Sequence, residues 1–528
     1  MKRYIALLLA LTLLLSGCTV AQQTEKTETS APTEITGETE EALETVETAE
    51  TAEDEDSFGL SYLSEYGLNP YTCTATVNRA LFSLLYESLF SISTQFRAEP
   101  VLCESYRMID EGRTYVFTLV EGATFSDGTP LTAQDVEASI QAARSSSYYK
   151  FRLSHISYYT TQEDGTLLIQ MDTPYENLPL ILDIPIVKKD TVSEAYPVGT
   201  GPYRLQGNRL IRNRHWKQTQ TLVLDRDSIE LSPCDTTGEL RDNFEFGSTD
   251  LVYCDPNNAA SVGYRCDYEV WEVPTTVMHY LGFNLYSGYF ANNTLRTAVT
   301  YLLNRDEIVS EYYGGFALGS SLPCSPYADL YDAQLAESYD YAPTEFQAAL
   351  RESGILTSPE YEYHQGIFLV CSDDMVRVET ARYIAQLLND AGLNIVVSAL
   401  DHDTYLQELN DGDFDLYYGE TRLTPNFDLS EFFRSDGNLQ YGSIKSTALA
   451  ELCTSALENT GSFVELCAQV AKEAPICPVV FKSYAVYVTR GKITSLTPTV
   501  DNVFHDSTSA RSLADADKTY ENADPTAE

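Results

Sequence analysis

Only two of the 528 residues are tryptophan, only 34 are lysine or arginine against 78 aspartate or glutamate, and only six are histidine. Each scarcity excludes something. A chain so short of cations has no basic surface for phosphate backbones, so nucleic acid is not an expected partner. Without an added anchor it is also repelled by anionic lipid. The histidines, His155, His215, His279, His364, His402 and His505, lack ligand spacing, and no H-E-x-x-H, G-x-S-x-G or phosphate-binding glycine loop occurs. No C-x-x-C pair exists among the 11 cysteines, which leaves zinc-ribbon and thioredoxin-type motifs without support. Asp401-His402-Asp403 is the one tempting cluster, but adjacent positions point in different directions, and a solvated turn is expected there. No metal, cofactor or catalytic residue is therefore expected. No fixed repeat is visible, which argues against a solenoid.

What the chain does have begins at its N-terminus. Lys2 and Arg3, the apolar run from Ile5 to Leu15, and Leu15-Ser16-Gly17-Cys18 read as a secretory leader (1–18) ending in a lipobox-like sequence. The run is shorter than the roughly 20 residues that a spanning helix needs. Cleavage before Cys18 and its acylation would hold the mature protein by lipid to the outer face of the cytoplasmic membrane, as in a Gram-positive cell. Residues 19–56 carry thirteen carboxylates against Lys26 and no aromatic residue, so they bury too little apolar surface to order and read as an acidic Thr/Glu tether. Lys2 and Arg3 contribute +2 and this segment −12, which leaves −34 of the net −44 for the rest. The folded part is acidic in its own right. That speaks to solubility and association, and it identifies no substrate.

The most informative stretch is Tyr115 to Ile140. Tyr115, Phe117 and Leu119 alternate with Val116 and Thr118 as in a strand; Glu121-Gly122 and Ser126-Asp127-Gly128-Thr129-Pro130 are turn chemistry. Thr132 and Asp135 form a capping box that predicts a helix from about Ala133. This unit closely resembles the signature of the bacterial extracellular solute-binding proteins, family 5, which serve peptide, dipeptide and nickel ABC importers. Three further segments follow in the family's order: Leu68-Asn69-Pro70 with Leu85-Tyr86-Glu87; Tyr196-Pro197-Val198-Gly199-Thr200-Gly201-Pro202-Tyr203; and Tyr280-Leu281-Gly282-Phe283-Asn284 with Leu295-Arg296 and Asn304-Arg305-Asp306. The likeness covers roughly residues 60–490.

Apolar helical stretches such as Val378–Leu388 alternate with strand-like runs at 367–371, 395–400 and 414–418, an α/β pattern. A chain of this length builds more than one core. The resemblance implies a two-lobed periplasmic-binding-protein-like fold with a hinge, a cleft-bound ligand and an extra small domain. The implied division is lobe I at 57–90, 186–275 and 479–515, a small insert at 91–185, lobe II at 276–478, and a disordered tail at 516–528. Ten cysteines remain after Cys18, and outside the cytoplasm an even number permits disulfides. Cys254 with Cys266, and Cys453 with Cys467 or Cys477, are candidates; buried thiols are the alternative.

Tyrosine is abundant, 37 in all, and suits both packing and a cleft wall. By position in the resemblance, candidate ligand contacts are Tyr71, after the Asn-Pro turn, and a loop from Gly419 to Asp428. Peptide binders of this family commonly place an aspartate in that loop for the ligand's ammonium; here Leu423 stands at that position and Glu420 replaces the usual tryptophan. An apolar Leu423 cannot hold an ammonium by charge, so a free peptide amine is bound only if Glu420 or Asp428 substitutes; Arg422, with its planar fork of donors, is suited to a carboxylate or phosphate, or else to a surface or hinge ion pair. Three functions follow as alternatives: a monomeric lipoprotein that closes on a peptide or peptide-like solute and delivers it to ABC permease subunits, a peptide-sensing surface lipoprotein, and a cleft enzyme. The lack of a nucleophile–base pair argues against the last.

Overall fold

The computed structural model describes residues 57–219, 224–257 and 263–505. The leader with Cys18, the 19–56 tether and the 516–528 tail lie outside the described residues. Tyr115 and Phe117 are fully buried on one face of the strand Thr114–Leu119. That strand is the second of a four-stranded antiparallel sheet ordered Cys103–Ile109, Thr114–Leu119, Leu167–Met171, Ile156–Thr161. The helix Ala133–Ser145 starts where the capping box places it: the Thr132 amide and hydroxyl donate to Asp135 at 3.0 and 2.6 Å. Its Val136, Ile140 and Ala143 recur at helical spacing and are buried.

Among the described residues the second sheet has eleven strands and runs through both lobes. Two long antiparallel strands, Tyr268–Phe283 and Ile476–Thr489, form its middle. On one side Leu251–Cys254, Gly59–Leu63, Ser228–Cys234, Arg209–Arg212 and Tyr203–Gln206 continue it; on the other come Leu416–Arg422, Gly366–Cys371 and Ile395–Leu400. Their register breaks between Pro274 and Met278, since proline has no amide to give the ladder and the chain bulges there. At this break the sheet passes from one lobe to the other. The first lobe has a core of Phe58, Leu84, Phe90, Tyr115 and Val486. The second has one core on each face of its sheet, around Leu295, Val299 and Ile384 on one and Leu449, Leu466 and Phe481 on the other. The helix Met375–Asp390 crosses between the parallel strands Gly366–Cys371 and Ile395–Leu400, burying Val378, Ala381, Ile384 and Leu388. The fold is thus the expected two-lobed α/β architecture. Among the described residues no helix is long and apolar enough to cross a membrane.

The structure differs from the sequence reading at three points. Gly419–Arg422 belong to the strand Leu416–Arg422, not to a loop: they pair antiparallel with Val277–Tyr280, a long-range ladder that polar side chains disguise in the sequence. Asp401 caps the helix His402–Asp411 by accepting from the Thr404 amide at 3.1 Å, so the expected turn is a helix start. The proposed cysteine pairs are absent: Cys266, Cys453, Cys467 and Cys477 are thiols, and Cys254 interacts with Tyr264 instead.

Candidate functional site

A cleft of about 450 Å³ lies where the two lobes meet beside the crossing strands, and its walls include Arg79, Tyr148 and Arg152 of the first lobe and Glu420 and Arg422 of the second. This is within the roughly 300–1,000 Å³ usual for small-molecule sites. Side-chain alternation along the strand puts Glu420 and Arg422 on one face, both toward the cleft. Arg422 donates to the Tyr148 hydroxyl at 3.3 Å and to the Tyr484 hydroxyl at 3.0 Å, with its carbon 4.9 Å from the centre of the Tyr148 ring.

Behind this contact stands a buried ionic group. Arg79 donates to Asp501 at 2.7 Å and to the Tyr149 hydroxyl at 2.9 Å, and its guanidinium lies 3.5 Å from the Tyr148 ring centre. Arg152 pairs with Asp183 and lies 3.6 Å from Asp501. Burial pushes the Asp183 carboxyl up, with Asp501 adding to the rise against the pull of Arg152. For Asp501 burial also acts upward, but Arg79 and Arg152 outweigh it and hold that carboxyl below its ordinary value. The guanidiniums of Arg79 and Arg152 thus flank the carboxyls of Asp501 and Asp183, and Arg422 lies against the ring of Tyr148 beside them.

At the other end, Glu420 Oε2 accepts from His279 Nε2 at 2.8 Å, and Lys482 Nζ is 3.8 Å away. His279 is fully buried; its Nδ1 accepts from the Tyr313 hydroxyl at 2.6 Å, which in turn lies 3.0 Å from the Tyr418 hydroxyl. Burial holds His279 below its ordinary value against the pull of Glu420, so the neutral tautomer with hydrogen on Nε2 fits this chain. Burial would raise the Glu420 carboxyl, but the His279 hydrogen bond and the Arg377 and Lys482 charges hold it well below the usual carboxylate range. His279, Asp374 and Glu420 could together reach one ion, as could Cys371, Asp373 and His402 elsewhere. Lys482 and Arg377 make the first group a poor home for a cation.

Glu420, Arg422 and Leu423 are thus brought together on the cleft. Leu423 is buried, tied by its amide to the Thr276 carbonyl at 3.0 Å. Tyr71 sits behind the wall, its hydroxyl donating to the Pro185 carbonyl and its ring edge-on to Tyr149. Asp428 is buried against His155 and Ser430, off the cleft lining. Sequence reasoning missed Arg79, Tyr148, Arg152, Tyr484 and Asp501, which come from four distant segments with no shared motif.

A cleft between two lobes, walled by charge and tyrosine, with two strands crossing between the lobes, defines a two-lobed solute-binding protein. The model for "Bacterial extracellular solute-binding proteins, family 5 Middle" matches residues 97–438, and the chain belongs to that family. It is 25% identical over 312 residues to the glutathione-binding protein GsiB of Shigella flexneri serotype 5b, a match covering 54% of this chain and 59% of that protein. The chain thus spans less than two thirds of the curated relatives it matches. Among solved structures it is similar to the ABC transporter substrate binding protein CtaP of Listeria monocytogenes, with a TM-score of 0.68 at 18% identity over 85% of this chain and 98% of that one. The periplasmic murein tripeptide binding protein MppA aligns with a TM-score of 0.66 at 17% identity, over 85% of this chain and 95% of that one. These structural likenesses carry the fold.

Proposed function

We propose that this chain captures a peptide or peptide-like small solute by closing its lobes and delivers it, chemically unchanged, to ABC permease subunits. The observation that carries the reading is the contact of Arg422, on the second lobe, with Tyr148, on the first, across the floor of the cleft. A ligand seated there touches both lobes and so favours the closed state. The names of the relatives, binders of glutathione and of a murein tripeptide, agree with a short peptide-like solute. The moving bodies in this reading are 57–90, 91–185, 186–275 and 479–515 on one side and 276–478 on the other. The protein works as a monomer, held outside the cell by lipid on Cys18.

Small-angle scattering with and without a mixed pool of short peptides tests the core of this reading. Compaction on adding peptide, with every retained peptide recovered at its original mass, is the expected result. An unchanged scattering curve, or a cleaved peptide, overturns it. The anchor is tested separately: Cys18→Ser should move the protein from the membrane to the soluble fraction, and continued membrane association refutes the lipid attachment.

A further inference from the structure

We infer that Cys371, Asp373 and His402 form a binding site for zinc or a like borderline-soft divalent cation, at the shared end of two parallel strands of the second lobe and apart from the walls of the cleft. The inference is independent of the peptide reading.

The strand register brings the three residues together. Gly366–Cys371 and Ile395–Leu400 run parallel and finish level, with Cys371 opposite Leu400 and the Ser372 amide donating to the Leu400 carbonyl at 2.7 Å. Asp373 and His402 each follow a strand end by two residues, so the pairing of Cys371 with Leu400 also sets them side by side. Asp401 fixes the second of these positions. Its carboxylate accepts from the Thr404 amide at 3.1 Å and from the Thr404 hydroxyl at 2.8 Å, which starts the helix His402–Asp411 at the histidine. That helix buries Tyr405 and Leu409 in the same core as Leu369 and Cys371, so helix and thiol share one face of the sheet.

One sulfur, one carboxylate oxygen and one ring nitrogen thus lie within 4.8 Å of one another. Bond lengths of about 2.0–2.3 Å place the ligands of a tetrahedral zinc about 3.3–3.8 Å apart, so small side-chain rotations complete the set. The Cys371 thiol already meets the Asp373 side chain. Burial is graded, with the sulfur buried at the base and the carboxylate and imidazole exposed at the rim. An ion therefore enters from solvent on a cup of three ligands and keeps its fourth position for water. Thiolate and imidazole select zinc over magnesium or calcium, which take oxygen ligands, and thiolate with carboxylate matches the charge of a divalent ion. Arg377, whose charge reaches Cys371, is held by Asp374 at 3.5 Å. In the His279, Asp374 and Glu420 group, by contrast, Lys482 stands 3.8 Å from the glutamate. None of Cys371, Asp373 and His402 lines the cleft. The ion is accordingly a staple between two strand ends, not cargo.

The test uses the full mature protein, stripped of metal by a chelator and kept in a phosphine reductant, with zinc binding read by calorimetry and the melting temperature followed in parallel. One equivalent of zinc should bind, should resist displacement by excess calcium, and should raise the melting temperature. Cobalt(II) in its place should give the near-ultraviolet charge-transfer band of a thiolate ligand. Asp373→Asn and His402→Gln change exposed side chains, so both variants should fold; each should weaken zinc at least tenfold and lose the thermal shift. Cys371→Ser should abolish the cobalt band. Weak zinc binding that is equal in the parent and both exposed-residue variants belongs to the acidic surface and overturns the site, as does a cobalt spectrum without the sulfur band.

Discussion

His155 of the first lobe stands between Asp172 of its own lobe, 3.0 Å from Nδ1, and Asp428 of the second lobe, 3.2 Å from Nε2. It is buried, and burial alone would discharge it, yet the two carboxylates raise it to about 9. Because its folded value lies above the ordinary 6.5, its stabilising effect is complete below about pH 6.5 and is lost as pH rises through about 9. For Asp428 burial acts upward but His155 outweighs it, so the carboxyl is held low and its contribution fades only as pH falls below its ordinary range. The pair is strongest from about pH 4 to 6.5. Thermal stability should decline between pH 6.5 and 9 by at most about 3 kcal/mol, and His155→Gln should flatten that limb. Parallel profiles for the two proteins remove the pair from the lobe interface.

Gly201 makes a different kind of prediction, one of close approach. A Cβ there would meet the Leu85 carbonyl carbon at 2.5 Å, and one on Gly199 would meet the Leu85 oxygen at 2.1 Å. Both obstacles are backbone and cannot rotate away. Gly201→Ala should cost about 3 kcal/mol or more by overpacking. A melting temperature within a degree of the parent would contradict this geometry.

How much of this was legible in the sequence depends on range. The strand at Tyr115, the turn at Gly128 and the cap at Thr132 are local rules, and each is found where the sequence puts it. The Gly-x-Gly-Pro-Tyr turn was visible as well, although its reason, contact with Leu85, was not. The site was half legible. Glu420, Arg422 and Leu423 were reachable because a resemblance marked their segment, while Arg79 and Asp501 are 422 positions apart and meet only in the fold. The segment itself was misread as loop because its ladder partner, Val277–Tyr280, lies far away in sequence.

Among the described residues Arg422 hydrogen-bonds to two tyrosine hydroxyls, contacts that contribute modestly to folding. A charge-assisted bond to a ligand anion is worth about twice as much. Arg422→Ala should therefore weaken peptide binding tenfold or more, while denaturant unfolding shifts by only about 1 kcal/mol. Unaltered affinity, or a large loss of stability, would show that the residue serves the lobe interface instead.

Cys453 and Cys467 lie in the second lobe's core, and burial pushes both thiols well up from their ordinary value. A thiol held in that form is a weak nucleophile. In native protein neither should be alkylated by iodoacetamide at pH 8 within an hour, and both should be modified once the chain is unfolded in guanidinium without reductant. Resistance of the unfolded chain would reveal a disulfide.

Asp501 is the residue on which the first-lobe wall turns. It accepts from Arg79 and balances Arg152, while burial and the charge of Asp501 push the neighbouring Asp183 carboxyl up. Asp501→Asn leaves two buried guanidiniums with Asp183 alone, and breaking such a group costs about 3–5 kcal/mol. Part of this loss should be masked because Asp183, freed of its neighbour's charge, ionises more readily. In the parent the raised Asp183 carboxyl holds a proton that the unfolded chain has lost, so stability declines as pH rises from 5 to 8; in the variant that decline should shrink, and the penalty should be larger at pH 5 than at pH 8. The parent's Asp501 is held low, so its own contribution is constant from pH 5 to 8 and is lost only below the ordinary aspartate range. Urea titrations of both proteins at pH 5 and 8 measure the difference, and an equal penalty at the two pH values would show that Asp183 does not take over the charge.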